Sequence, residues 1–240
     1  MAEHDLRSAE ARMIAEARKA FFVIFGLLCL VWTVQLGNWA DRNGLALQYG
    51  IRPHDLTRLP EVFTAPLLHF SWQHLEGNSG PLFVFGFLAA YRGVKKFLLL
   101  TLLITLTSGL AVWIFQAGNT VSVGASGLIF GYLGYVVLRG IFDRHLIDTL
   151  IGVVMAASFA YELAGAVPGA PGGVSWLAHL GGLLGGAAGA WLLRDRAGHQ
   201  ERAGGADRPT PRGESARSGS GGSGTDSRAD LLKELKDLGL

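Results

Sequence analysis

The sequence predicts an all-α polytopic membrane protein, a bundle of six transmembrane helices. Three observations lead to that fold class. Half of the 240 residues are hydrophobic and only 17% are charged, and mean hydropathy is +0.32. The apolar residues come in long blocks, unlike the short periodic runs of a water-soluble domain. Residues 97–138 contain no Asp, Glu, Lys or Arg at all, enough chain for two spans of the roughly 20 residues that a hydrocarbon core of about 30 Å requires.

The same ruler divides the chain in order. Residues 1–19 form a basic N-terminal segment with Arg7, Arg12, Arg18 and Lys19, and the first span follows at 20–39. The charged leader is long for a signal peptide, and no convincing small-x-small cleavage site follows the span. A long loop of mixed charge, 41–73, leads to the second span at about 74–91. Pro81 removes one helical hydrogen bond there, so a local kink is expected. The charge-free block must fold back on itself, with a break at 116–123 where Gly118 and Asn119 suit a turn. A fifth span is expected at 146–163, then a Pro/Gly-rich loop, then a sixth span from about Ser175, the membrane domain covering 20–194. Residues 195–228, rich in Gly, Ser, Arg, Asp and Pro, cannot bury enough apolar area to offset the entropy of ordering and read as a disordered linker. The last twelve residues, 229–240, space Leu231, Leu232, Leu235 and Leu238 as a short amphipathic helix, suited to a protein partner, a membrane surface or solvent alone.

Basic residues orient the bundle, because short cytoplasmic loops are enriched in Lys and Arg. The leader, Arg92 with Lys95 and Lys96, Arg139 with Arg144, and Arg194 with Arg196 all fall on one side when six spans are counted. Both termini are then cytoplasmic, and the short loops suggest a bacterial cell membrane. A net charge of +2 is too small for a nucleic-acid binder. The single cysteine, Cys29, excludes an internal disulfide, and no pair of the seven histidines has the spacing of a zinc motif, so no metal is expected.

Polar side chains at membrane depth are costly, so those that remain are functional candidates. His74 and Asn78 lie four apart, on one face of the second span; Ser126 opens the fourth; His179 lies one turn into the sixth. The orientation puts all four at one depth, near the outer face. A serine becomes a nucleophile when a base takes its proton, and histidine is the usual base near neutral pH. Ser126 and His179 supply that pair. The resulting oxyanion needs donors, which the start of the fourth helix, Asn78 and His74 offer. Gly124 and Gly127 flank Ser126 and permit a tight turn with close approach of a substrate backbone, so that Gly124 joins His74 and Asn78 as a substrate-stabilising candidate. Gly127 and Gly131, facing Gly182 and Gly186, form small-xxx-small faces for close helix packing. Each feature also has a packing or interfacial explanation when taken alone; their coincidence at one depth argues for a site. His54 and His69 are expected as surface residues or local supports. Ser79, Ser108, Ser122 and Ser175 are rival nucleophiles, none of which combines glycine flanks, a helix start and a histidine at its depth.

At these residues the chain resembles the rhomboid family of intramembrane serine proteases. "HFSWQHLEGN" with His74 and Asn78, "GASG" with Ser126, and "AHLGGLLGG" with His179, Gly182 and Gly186 occur in the family's order. The resemblance covers about residues 20–193. It implies a six-helix rhomboid-like bundle, a Ser126–His179 dyad acting through an acyl-enzyme, and an oxyanion hole from Asn78, His74 and the Ser126 backbone N–H. It also implies cleavage of other proteins' transmembrane segments, with no cofactor. Many bacterial relatives carry a tyrosine where this chain has Phe130, whose ring can still stack beneath His179. Glu162 is a remote third member. Two rival functions are a catalytically inactive rhomboid-like chaperone or scaffold for client helices, and a transporter. The intact set of Ser126, His179, His74 and Asn78 argues against the first. The lack of mid-depth charge and of an internal repeat argues against the second.

Overall fold

A computed structural model describes residues 2–143 and 175–194, with positions 150, 153, 154 and 157 between them. Among these the fold is helical: α1 Ala2–Ala40, α2 Gly44–Tyr49, α3 Trp72–Ala90, α4 Val94–Phe115, α5 Ser126–Asp143 and α6 Trp176–Leu192. Two short 3-10 segments, Leu56–Val62 and Ala65–Leu67, lie in the α2–α3 connection. Apart from those four positions the expected fifth span lies outside the described residues, as do the Pro/Gly-rich loop, Glu162, the linker and the C-terminal amphipathic helix.

Among the described residues two helices, Leu6–Ala40 and Val94–Phe115, are long and apolar enough to cross a membrane by length and composition. The helix expected from residue 20 begins instead at Ala2 and runs for 39 residues without interruption. Hydropathy marks where a helix meets lipid, whereas backbone hydrogen bonds continue into water wherever the side chains permit. α3 runs unbroken through Pro81, which is buried.

α5 is the central helix, since every residue from Gly127 to Tyr135 is buried. Its Leu128, Ile129, Tyr132 and Leu133 join Ile24 of α1, Leu82 and Phe85 of α3, Leu100 and Ile104 of α4 and Ala190 of α6 in one core. Outward-facing residues remain apolar: Phe22, Phe25, Leu36 and Trp39 on α1 and Leu98, Leu99 and Phe115 on α4 are all exposed. Such a surface suits lipid, which solvates apolar side chains as readily as the core does.

Glycine brings α4, α5 and α6 into close contact. A Cβ on Gly182 would overlap the carbonyl oxygen of Gly127, and one on Gly186 the carbonyl oxygen of Gly131. On the neighbouring stripe, a Cβ on Gly181 would stand 2.6 Å from the Thr107 carbonyl oxygen of α4. Gly182 and Gly186 therefore seat α6 against α5, and Gly181 and Gly185 seat it against α4, at backbone separation.

The connection from α1 to α3 is an ordered cap. Arg42 and Asn43 turn through left-handed backbone (φ 54° and 67°) to start α2. Asn38 at the end of α1 is fully buried. Its Nδ2 donates to the His69 carbonyl oxygen at 2.7 Å and to Asn43 Oδ1 at 3.0 Å, and its Oδ1 accepts from the Ala46 N–H at 2.9 Å. An antiparallel bridge between Ile51 and Ser122 ties this cap to the α4–α5 loop. A second small apolar cluster, Ile51, Val62, Ala65 and Val112, packs beneath it.

Candidate active site

Ser126 is the first residue of α5 and His179 lies in the first turn of α6. The close α5–α6 packing brings them together: His179 Nε2 is 2.8 Å from Ser126 Oγ. His179 is buried, 3% exposed, which denies its ring competing water contacts. Phe130, one turn below Ser126, stacks on the imidazole with centroids 4.1 Å apart and planes 6° from parallel. A hydroxyl held against a ring nitrogen, with that ring clamped by a flat partner, is arranged for proton transfer.

The loop before Ser126 is shaped by Gly124, at φ +125°. Its N–H donates to the Ala65 carbonyl oxygen at 2.9 Å. A Cβ there would lie 2.8 Å from His74 Cε1, 3.0 Å from His74 Nε2 and 3.8 Å from Asn78 Nδ2. His74 and Asn78 therefore border the loop that carries Ser126 from the α3 side. Ser71 caps α3 by accepting from the His74 N–H at 3.1 Å, which fixes where that helix starts.

His69, expected as a surface residue or local support, is fully buried. Its Nε2 is 2.9 Å from Asn78 Nδ2 and 3.4 Å from the Ala125 backbone N. Its ring meets that of His74 edge to face, with centroids 4.8 Å apart. Burial, reinforced by His74, pushes the His69 imidazole down to about 3, so it is neutral at physiological pH. The available signal was its setting: Leu67, Leu68 and Phe70 surround it, an apolar run unusual for a solvent-facing loop. His54 stays exposed and braces the loop, with Nε2 2.9 Å from the Ile114 carbonyl oxygen.

A cavity of about 860 Å³ opens beside Ser126, lined by that residue, His74, Gly124 and Gln116 with apolar Val62, Val112 and Leu177. Gln116, which the sequence did not single out, joins its two walls. Its Nε2 donates to Thr120 Oγ1 at 2.9 Å and Ser122 Oγ at 2.7 Å, and its Oε1 accepts from Ser175 Oγ at 2.5 Å. Of the rival serines, Ser108, Ser122 and Ser175 also line this cavity, and each of the four has partners of its own. Ser175 caps α6, Ser122 sits in the bridge to Ile51, Ser79 donates to the Leu75 carbonyl oxygen at 2.8 Å, and Ser108 lies against Gly127. Among the described residues no three His, Cys, Asp or Glu side chains gather as a metal site would need.

Residues 56–196 match the Rhomboid domain. An uncharacterised protein of Mycobacterium tuberculosis is 38% identical over 177 residues, 71% of this chain and 73% of its own length. A chloroplastic rhomboid-like protein of Arabidopsis thaliana is 33% identical over 58% of this chain and 54% of its own. The rhomboid protease GluP of Bacillus subtilis is 24% identical over 77% of this chain and 37% of its own. The domain match and the mycobacterial relative agree: the chain belongs to the rhomboid family, whose members include intramembrane serine proteases.

Proposed function

We propose that this protein is an intramembrane serine endopeptidase that cuts transmembrane segments of other membrane proteins. The observation that carries the reading is the 2.8 Å approach of His179 Nε2 to Ser126 Oγ. A substrate helix enters from the bilayer, unwinds, and presents a carbonyl carbon to Ser126. As Oγ bonds to that carbon, its proton passes to His179 Nε2, and the carbonyl oxygen becomes an oxyanion facing Asn78, His74 and the backbone N–H of Ser126. Collapse of the adduct breaks the C–N bond, and His179 returns the proton to the leaving amine. A water then gives a proton to His179 and attacks the acyl carbon; the Oγ–C bond breaks, the new carboxyl end leaves, and His179 returns the proton to Ser126 Oγ.

The topology that goes with this chemistry is six spans within 20–194, both termini cytoplasmic, and the site near the outer face of a bacterial cell membrane. Residues 195–228 serve as a linker and 229–240 as a short helix for a partner or a membrane surface. The test pairs wild type with Ser126→Ala on a panel of single-span substrates, alongside labelling by a fluorophosphonate. Cleavage and labelling by wild type alone are expected. Labelling that persists in Ser126→Ala refutes the nucleophile, and wild type that binds client helices without cutting any refutes the peptidase.

A further inference from the structure

The backbone N–H of Ala125 can only donate, so His69 Nε2, 3.4 Å away, must be the acceptor and the ring proton must sit on Nδ1. The same Nε2 lone pair faces Asn78 at 2.9 Å, which requires the NH₂ end of that amide, not its oxygen, to be presented there. A backbone group beside Ser126 thereby dictates, through one imidazole, which way round the Asn78 amide is held.

We propose that His69 is the positioning residue of the oxyanion site: by accepting from Asn78 and Ala125 together, it locks the Asn78 amide, donor side in, against the loop that carries Ser126. This rests on the peptidase reading. An inverted amide would turn a carbonyl oxygen toward developing negative charge, converting a stabilising dipole into an opposing one. The imidazole is itself fixed from behind, because its residue's carbonyl oxygen accepts from Asn38 Nδ2 at 2.7 Å. Its Nδ1 has no hydrogen-bond partner among the described residues. An apolar side chain would fill this fully buried position without stranding a donor. What the imidazole supplies in return is the acceptor at Nε2. Its neutrality across physiological pH keeps that acceptor available.

The test compares His69→Phe, which keeps a ring and loses the acceptor, with His69→Gln, whose Oε1 can stand where Nε2 does. Both are measured in wild-type and Asn78→Ala backgrounds for kcat and KM on a cleaved substrate. We expect His69→Phe to lower kcat roughly 10- to 100-fold with little change in KM. His69→Gln should recover most of that loss, and neither variant should reduce activity further once Asn78 is alanine. An unchanged kcat in His69→Phe, or losses that multiply with Asn78→Ala, overturns the positioning role. If His69→Phe does not fold, ¹⁵N-histidine spectra of the wild-type protein decide, with the His69 signals assigned by their loss in His69→Gln. Protonated Nδ1 and bare Nε2 support the proposal; a proton on Nε2 overturns it. Wild type that neither cleaves nor labels overturns the peptidase reading beneath it, whereas active wild type with an indifferent His69→Phe overturns this inference alone.

Discussion

The Phe130 ring lies flat beneath the His179 imidazole, 4.1 Å between centroids and 6° between planes. Such a contact limits rotation of the imidazole while leaving its edge free to meet Ser126. Ring pairs of this kind contribute about 0.5–1.5 kcal/mol beyond their buried area. Phe130→Leu keeps the apolar bulk and removes the flat face. It should lower kcat about threefold to tenfold and leave KM near wild type, measured by initial rates of substrate cleavage. Phe130→Tyr keeps the face and should remain close to wild type.

The α5–α6 seam sets where His179 stands. Cβ atoms at Gly182 and Gly186 would overlap backbone carbonyl oxygens of Gly127 and Gly131, and backbone cannot rotate away as a side chain can. Gly186→Ala should therefore destabilise by about 1–3 kcal/mol and reduce cleavage by moving α6 outward. Gly26→Ala in α1 is the control, since nothing lies within 4 Å of a Cβ there. It should be neutral or stabilising by up to about 1 kcal/mol through helix propensity. Thermal unfolding in detergent reads both.

Much of this geometry was legible because lipid simplifies the reading. A bilayer demands long apolar helices, so the charge-free run from Phe97 to Leu138 could be only two helices and a turn, and α4 ends at Phe115 and α5 begins at Ser126. The glycine spacing on α5 and α6 likewise pointed to the seam. The cap between α1 and α3 was not legible. Its conformation depends on partners far along the chain, as in Asn38 with His69 and Ile51 with Ser122, and no local period encodes such pairings. For the same reason the sequence did not show that His69 is buried and not on the surface. Loops ordinarily run over the surface, whereas this one folds inward and buries its histidine.

Acid should expose the buried His69. Its imidazole titrates near 3 in the folded protein against an ordinary 6.5. Between those values the unfolded chain binds a proton that the native state refuses, so stability falls as pH drops from about 6.5 toward 3, and above 6.5 this residue contributes no pH dependence. Glu61 works in the opposite sense, because burial raises its carboxyl. It is common to both proteins in a comparison of wild type with His69→Gln. The difference between their melting temperatures should therefore change across pH 6.5 to 4 and stay flat from 7 to 8. A difference that is constant throughout would show that His69 is not held neutral.

Gln116 links the strand of chain leading to Ser126 with the helix carrying His179. Thr120 and Ser122 receive its amide hydrogens, at 2.9 and 2.7 Å, while Ser175 donates to its oxygen at 2.5 Å. Ser175 also accepts from the Ala178 N–H at 3.3 Å, so one side chain sets both the loop and the start of α6. Three neutral hydrogen bonds at about 0.5–1.5 kcal/mol each, offset by the apolar contacts a leucine would regain, suggest a net loss of about 1–3 kcal/mol in Gln116→Leu. Hydrogen exchange localises the effect better than melting does. Amides of residues 117–125 should exchange faster in Gln116→Leu while those in the middle of α5 stay protected, and cleavage should fall with KM rising, since the loosened loop forms one wall of the cavity. Equal exchange in that loop would mean that the Ile51–Ser122 bridge suffices to hold it, and that the amide acts only within the cavity.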